Sequence, residues 1–168
     1  MSEAKMNAEQ SNARMIAEQC AREEALLQFP AFTQSDALAL GTLLYQNSLG
    51  KKSPVAIEIR MNQLTVFCFY PSGTNANNRL WLQAKARTVD TNQQSSLRFW
   101  AELQASGRKP EDRRMPESEY ACCGGGFPLT IRDTGVIGTI CVSGLPHMED
   151  HRLIIETLEQ FLGKTMRD

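Results

Sequence analysis

Two short stretches of strand-like sequence, each broken by a turn, stand some 55 residues apart with helical spacing between them, and this order limits the folds open to the chain. From Val55 to Arg60, Val55, Ile57 and Ile59 alternate with Ala56, Glu58 and Arg60, the period-two pattern of a half-buried strand. Met61-Asn62-Gln63 makes a turn, and Leu64 to Tyr70, rich in β-branched and aromatic residues, runs to a break at Pro71-Ser72-Gly73. Residues 54–70 therefore predict an antiparallel hairpin. Phe127 to Arg132, a turn at Asp133-Thr134-Gly135, and Val136 to Val142 predict a second one. Two hairpins joined by a helical crossover can form a single antiparallel sheet with helices on its faces, so the expected class is a layered α+β fold.

The helices are legible from apolar spacing and from their ends. Residues 1 to about 12 are polar and predict a frayed start, after which Ala13, Ile16, Ala17, Cys20 and Leu27 fall on one helical face until Pro30. Thr33-Gln34-Ser35-Asp36 has the form of a capping box, with Asp in place of the usual Glu, and opens a helix carrying Leu38, Leu40, Leu43 and Leu44 that Gly50 closes. Asn75 to about Asn92 places Leu82, Ala86 and Val89 on one stripe with Trp81 beside it. Ser96 to about Gln104 carries Leu97, Phe99, Trp100 and Leu103. Residues 107–119 lack periodicity and predict a mobile loop. A last helix from about Met148 to Gly163 turns Leu153, Ile154, Leu158, Phe161 and Leu162 inward and gathers its acidic residues near its start, where the helix dipole favours them.

Composition narrows the function. A chain of 168 residues that is 42% apolar and 22% charged belongs with globular proteins. With 18 Lys and Arg against 19 Asp and Glu there is no broad positive field, so nucleic acid is not expected as a partner. No segment approaches the roughly 20 apolar residues of a membrane span, and the first residues have no apolar signal core. Five cysteines without regular spacing fit free thiols and a cytoplasmic location.

Several short patterns carry possible chemistry. Cys122-Cys123-Gly124-Gly125-Gly126-Phe127-Pro128 lets the backbone approach a ligand, but no Gly-Lys-Ser/Thr follows and Pro128 has no amide hydrogen. It therefore reads as a tight strand entry or as a small-ligand contact surface rather than a phosphate loop. Adjacent cysteines fit a tetrahedral metal poorly. His147 and His151 have the four-residue spacing that lets two imidazoles share a metal, yet Glu149 and Asp150 point around the helix and no third ligand is evident, so no metal site is expected. Ser48-Leu49-Gly50-Lys51 resembles an acylating Ser-x-x-Lys pattern but falls at a helix end, the wrong place for that chemistry. Trp81 and Lys85, four apart on one face, can line a pocket for an anionic or planar ligand; the commoner arrangement is a core Trp with a snorkelling Lys.

Taken together, CCGGGFPLTI, GVIGTICVSGLPHMEDHRLIIETL and NNRLWLQAKARTV followed by QQSSLRFW resemble the GlcG/HbpS-like family, within it the cytosolic branch of haem-degrading-domain proteins. The resemblance covers about residues 29–162 and implies a profilin-like antiparallel sheet flanked by helices, with residues 1–28 as an added N-terminal helix and 29–168 as the family domain. It also implies homo-oligomers, and some relatives bind haem or form the carboxy-terminal domain of PduO-type proteins. The residues that match the branch are Trp81, Lys85, Ser95, Ser96, Gly125, Gly126, Phe127, Asp150 and His151. The chain departs from the branch at Ala84-Lys85, where Arg-Lys is usual, and at Cys123, where a His often precedes the glycines. The expectation is a pocket for a small molecule, haem among the candidates, formed by Trp81, Lys85 and Gly124 to Gly126, with Asp150 and His151 orienting a polar group. Two alternatives stand beside it: an enzyme using Asp150 and His151 as an acid–base pair, and a protein-interaction module.

Overall fold

A computed structural model describes residues 3–166 and shows the expected α+β layering. In chain order the elements are α1 (Glu3–Leu26), α2 (Gln34–Ser48), β1 (Ala56–Met61), β2 (Leu64–Phe69), α3 (Ala76–Asn92), α4 (Ser96–Ser106), β3 (Gly126–Ile131), β4 (Gly135–Ser143) and α5 (His147–Leu162). The four strands form one antiparallel sheet in the order β2-β1-β4-β3, so each hairpin contributes an edge and a central strand. The first hairpin closes through Asn62 and Gln63, whose φ angles of 48° and 69° lie in the left-handed region that lets a two-residue turn match the right-handed twist of its strands. Gly138 lets β4 approach β1 closely, since a Cβ there would collide with the Arg60 carbonyl.

The central strands are buried on both faces, and the two faces differ. Ile57 and Ile59 of β1, Ile140 and Val142 of β4, and Phe127 and Leu129 of β3 join Leu40 and Leu44 of α2 and Leu153, Ile154 and Leu158 of α5 in the main core. Across the sheet, Ala56 and Cys141 pack against Leu82 and Ala86 of α3 in a smaller layer. Strand β4 therefore lies sandwiched between α3 and α5, and these two helices approach each other at one end of the sheet, around the strand's C-terminal residue Ser143.

Phe29 fastens the segment between α1 and α2. Its amide donates to the Thr130 carbonyl at 2.9 Å and its carbonyl accepts from the Arg132 amide at 2.9 Å, so the segment covers part of the free edge of β3. Its ring meets Phe32 and Phe161 edge to face, with centroids 4.8 and 6.1 Å away. The capping box at the start of α2 is formed: Thr33 Oγ1 accepts from the Asp36 amide and the Asp36 carboxylate accepts from the Thr33 amide.

Two local expectations are corrected. The helix expected to fray through residue 12 begins at Glu3, and α1 lies along α4; residues 1 and 2 fall outside the described residues. Residues 107–119 are not a structureless loop: Pro110–Arg113 form a 3₁₀ turn, and Met115 is buried against Phe99 and Leu103. That one apolar residue between two prolines has no periodicity to betray it, yet it pins the segment. In α2 the inward stripe runs through Ala37, Leu40, Gly41 and Leu44, which leaves Leu38 exposed.

Replacing Phe29 by Ala removes a fully buried ring that joins α1, the β3 edge and α5. The expected cost is about 3–5 kcal/mol, read from the denaturant midpoint, with Leu38→Ala as a control that leaves the midpoint nearly unchanged.

Candidate functional site

Where α3 and α5 meet at the end of β4, a buried ion pair forms the floor of an open cleft. Lys85 of α3 is only 3% exposed and its ammonium donates at 2.8 Å both to the Asp150 carboxylate of α5 and to the Val142 carbonyl of β4. The other Asp150 oxygen accepts from the Leu145 amide at 3.0 Å, which fixes the chain as it leaves β4 and enters α5. Lys85 does not snorkel to solvent; it is drawn inward because a carboxylate and a backbone carbonyl both accept from its head. Burial pushes the Asp150 carboxyl up from its ordinary value, against the pull of Lys85 and of the Leu145 and Gly144 amides.

The cleft above this pair has a volume of about 400 Å³ and is bounded by Asn77, Trp81 and Lys85 of α3, Cys123, Leu145 in the connection from β4 to α5, and His147 at the start of α5. Trp81 is 45% exposed, so its indole is a wall of the cleft and not a core side chain. Asn78 also lines the cleft, and its side-chain amide donates to the Ser143 carbonyl at 3.1 Å. His147 accepts at Nδ1 from the Gly124 amide at 3.3 Å, which leaves its ring proton on Nε2, and the ring lies edge to face with Trp100 at 5.1 Å. Burial, with Lys85 nearby, holds the His147 imidazole below its ordinary value, so the ring is neutral at pH 7. Burial also raises the Cys123 thiol, with Lys85 opposing, so the cleft presents a thiol and not a thiolate.

Of the residues singled out from sequence, Trp81, Lys85 and Asp150 come together here. Gly124, Gly125 and Gly126 are buried beneath the cleft. A Cβ at Gly124 would strike the His147 carbonyl, and one at Gly125, whose φ is +111°, would press on Lys85 Nζ and the Val142 carbonyl. The run is thus the tight strand entry, made of glycine because helix ends and an ammonium crowd its backbone. Ser96 Oγ accepts from the Gly126 amide at 2.9 Å, Ser95 caps α4 through the Arg98 amide at 3.2 Å, and Phe127 lies in the main core. These three support the site from inside and do not face the cleft.

His151 faces the other way. Its Nε2 is 2.8 Å from Glu23 Oε2 on α1 and 3.9 Å from Cys20 Sγ. The acid–base pairing expected of Asp150 with His151 therefore does not form: adjacent helix positions point about 100° apart, and the carboxylate goes to Lys85 while the imidazole goes to Glu23. His147 and His151 do not converge on one metal either, since His147 lines the cleft and His151 packs against α1. Sequence reading missed His147 and Cys123 as cleft residues; Cys123, at the place where a His is usual, was the available signal.

The ion pair can be dissected. Lys85→Met is expected to cost about 3–5 kcal/mol, because Asp150 is left buried without its cation, and Lys85→Met with Asp150→Asn to recover part of this. In the single variant the Asp150 carboxyl rises further; a group whose folded pKa lies above its unfolded value favours the fold while protonated and loses that as pH rises through it. The deficit in denaturant midpoint is therefore largest at neutral pH and shrinks on acidification.

Comparison with known proteins places this arrangement. The family described as haem degrading protein HbpS-like matches residues 32–159. A UPF0303 protein of Streptomyces avermitilis is 38% identical over 143 residues, spanning 84% of this chain and 88% of its own. The crystal structure of the Ybr137w protein superposes with a TM-score of 0.82 at 24% identity, covering 97% of this chain and 96% of its own. That of a PduOC:heme complex superposes with a TM-score of 0.64 at 18% identity, covering 78% and 94%. At these identities the two structures speak for the fold, while the family match and the sequence relative go further: the chain belongs to the HbpS-like family.

Proposed function

We propose that the cleft between α3 and α5 binds a small planar ligand, with haem the first candidate, and that the chain works as a homo-oligomer in the cytoplasm. The observation that carries this reading is the half-exposed Trp81 indole standing over a buried Lys85–Asp150 floor, in one cleft with His147 and Cys123. An indole gives a flat ring a face to stack on. The floor is rigid because both its charges are paired, and His147 and Asn77 offer polar contacts at the rim. Membership of a family described by haem degradation, and a fold shared with a protein solved as a haem complex, direct the choice of ligand.

The residues present fit a haem group in one specific way. His147 is neutral at pH 7, the form that can give a lone pair to iron. To do so it must move its ring proton from Nε2 to Nδ1 and give up the Gly124 bond, a change within the reach of a 3.3 Å contact. Cys123 is the other side chain of the cleft able to meet a soft metal centre, and it would first lose its thiol proton. His151, bonded to Glu23 on the far side of α5, is not placed for the role. The free state of all five cysteines and the lack of any helix long and apolar enough to cross a membrane, among the described residues, support the cytoplasmic reading.

The test is a haem titration followed by Soret absorption, with the assembly state read by sedimentation. The wild type is expected to give a saturable, stoichiometric shift that His151→Ala retains and His147→Ala loses. Trp81→Ala is expected to weaken binding at least about tenfold, or about 1.4 kcal/mol, with the assembly intact. A spectrum equal to free haem would remove haem as the ligand. Dissociation of the Trp81→Ala variant into monomers would instead make this surface, where Leu80 is also exposed, a contact between copies.

A further inference from the structure

On the opposite side of α5 from the cleft, three side chains of metal-ligating type meet in the interior. Cys20 and Glu23 are three apart on α1 and so share a face; His151 reaches them from α5, across 128 residues of sequence from Glu23. All three are buried, and one ligand atom from each, Sγ, a carboxylate oxygen and an imidazole nitrogen, lies within 4.8 Å of the other two. We propose that Cys20, Glu23 and His151 form a binding site for a divalent cation of the zinc class, separate from the cleft.

The distances suit such an ion. With metal–sulfur and metal–nitrogen bonds of about 2.3 and 2.0 Å, a tetrahedral site holds these two atoms about 3.5 Å apart; Sγ and Nε2 are now 3.9 Å apart. Nε2 and the Glu23 oxygen, 2.8 Å apart in a hydrogen bond, would open by about half an ångström to take the same ion between them. The charges suit it too: a thiolate and a carboxylate balance a dication, and a neutral imidazole adds none. The thiolate selects a zinc-like metal over magnesium or calcium.

The imidazole can take up the role without breaking another bond. His151 Nδ1 is buried and has no hydrogen-bond partner among the described residues, so only the bond from Nε2 to Glu23 holds the tautomer, and an ion that takes Nε2 can leave the ring proton on Nδ1. Burial and the Glu23 carboxylate raise the Cys20 thiol to about 12, so the metal-free protein holds a protonated sulfur and the ion must displace that proton, as metals do at thiol ligands. A groove of about 430 Å³ between α1 and α5 opens onto the three side chains, with Met15, Met148 and Arg152 along it. Three protein ligands beside an open groove leave the fourth position to water or a small ligand.

The site would also lock the N-terminal helix. Next to Glu23, Glu24 accepts from the Ser95 amide at 2.8 Å and pairs with Arg98 at 2.7 Å, so one turn of α1 is tied to α4 by one carboxylate and to α5 by the other. A bound ion would replace the Glu23–His151 hydrogen bond by two metal bonds at that turn.

Cobalt(II) added to the chelator-treated full chain tests the proposal, because a thiolate–cobalt bond gives a charge-transfer band in the near ultraviolet and four-coordinate cobalt gives strong visible bands. Both are expected to saturate at one ion per chain, to be lost in Cys20→Ser and His151→Gln, and to persist in Cys123→Ser and Trp81→Ala; added zinc is expected to abolish them. Absence of a thiolate band in folded wild type, or a band that survives Cys20→Ser, would overturn the site. Glu23→Gln, which keeps the shape of the side chain, gives the same decision if Cys20→Ser does not fold: it is expected to weaken cobalt at least tenfold, and undiminished affinity would overturn the site. Because the cleft variants keep the cobalt signal whatever haem does, failure of this site and failure of the cleft are separate results.

Discussion

The Lys85–Asp150 pair holds together the part of the molecule where function is expected. One ammonium bonds a helix carboxylate and a strand carbonyl, while the same carboxylate takes the amide of Leu145 in the connection between β4 and α5. Helices from opposite faces of the sheet are thereby tied at a single point around the end of β4. The glycine run follows from this crowding, since Gly125 passes so close to Lys85 Nζ and the Val142 carbonyl that no side chain fits. A buried pair of this kind is weak evidence for net stability, because desolvating two charges offsets much of their attraction. Its effect is geometric: either partner alone would be a buried charge, so the two helices and the strand must come together in one register.

Helix α5 acts as a partition. Its face toward α3 carries His147 and Asp150 and borders the cleft; its face toward α1 carries His151 and borders the Cys20–Glu23 cluster. Two histidines four positions apart would share a face on a bare helix, but they are separated in use by what packs around them: the Gly124 amide and the Trp100 ring hold one, and the Glu23 carboxylate the other. The N-terminal helix is thus more than an appendage to the sheet, since it brings Cys20 and Glu23, which make His151 part of a cluster.

Much of the fold could be read locally. The alternation of Val55, Ile57 and Ile59, the capping box at Thr33 and the glycine at the end of α4 each report a hydrogen-bonding or burial constraint that acts within a few residues. The four-residue spacing of Trp81 and Lys85 could likewise place both on one face of α3. What that spacing could not show was that Lys85 turns inward, because its partner lies 65 residues further on. The same limit hid the cluster under α1: Cys20 and Glu23 are an ordinary helical pair until α5 delivers His151. Met115 escaped for a related reason, as a single apolar anchor in a charged segment has no period. Resemblance to a family pointed to Ser95, Ser96 and Phe127, and the structure places them as supports of the glycine run and the core.

The crystal structure of the protein grown with haem addresses the central claim directly, since that claim concerns where a ligand lies. The account requires the porphyrin in the cleft between α3 and α5, with one face against the Trp81 indole and His147 within reach of the iron. A porphyrin bound in the groove under α1, or at any surface remote from Trp81, would contradict it.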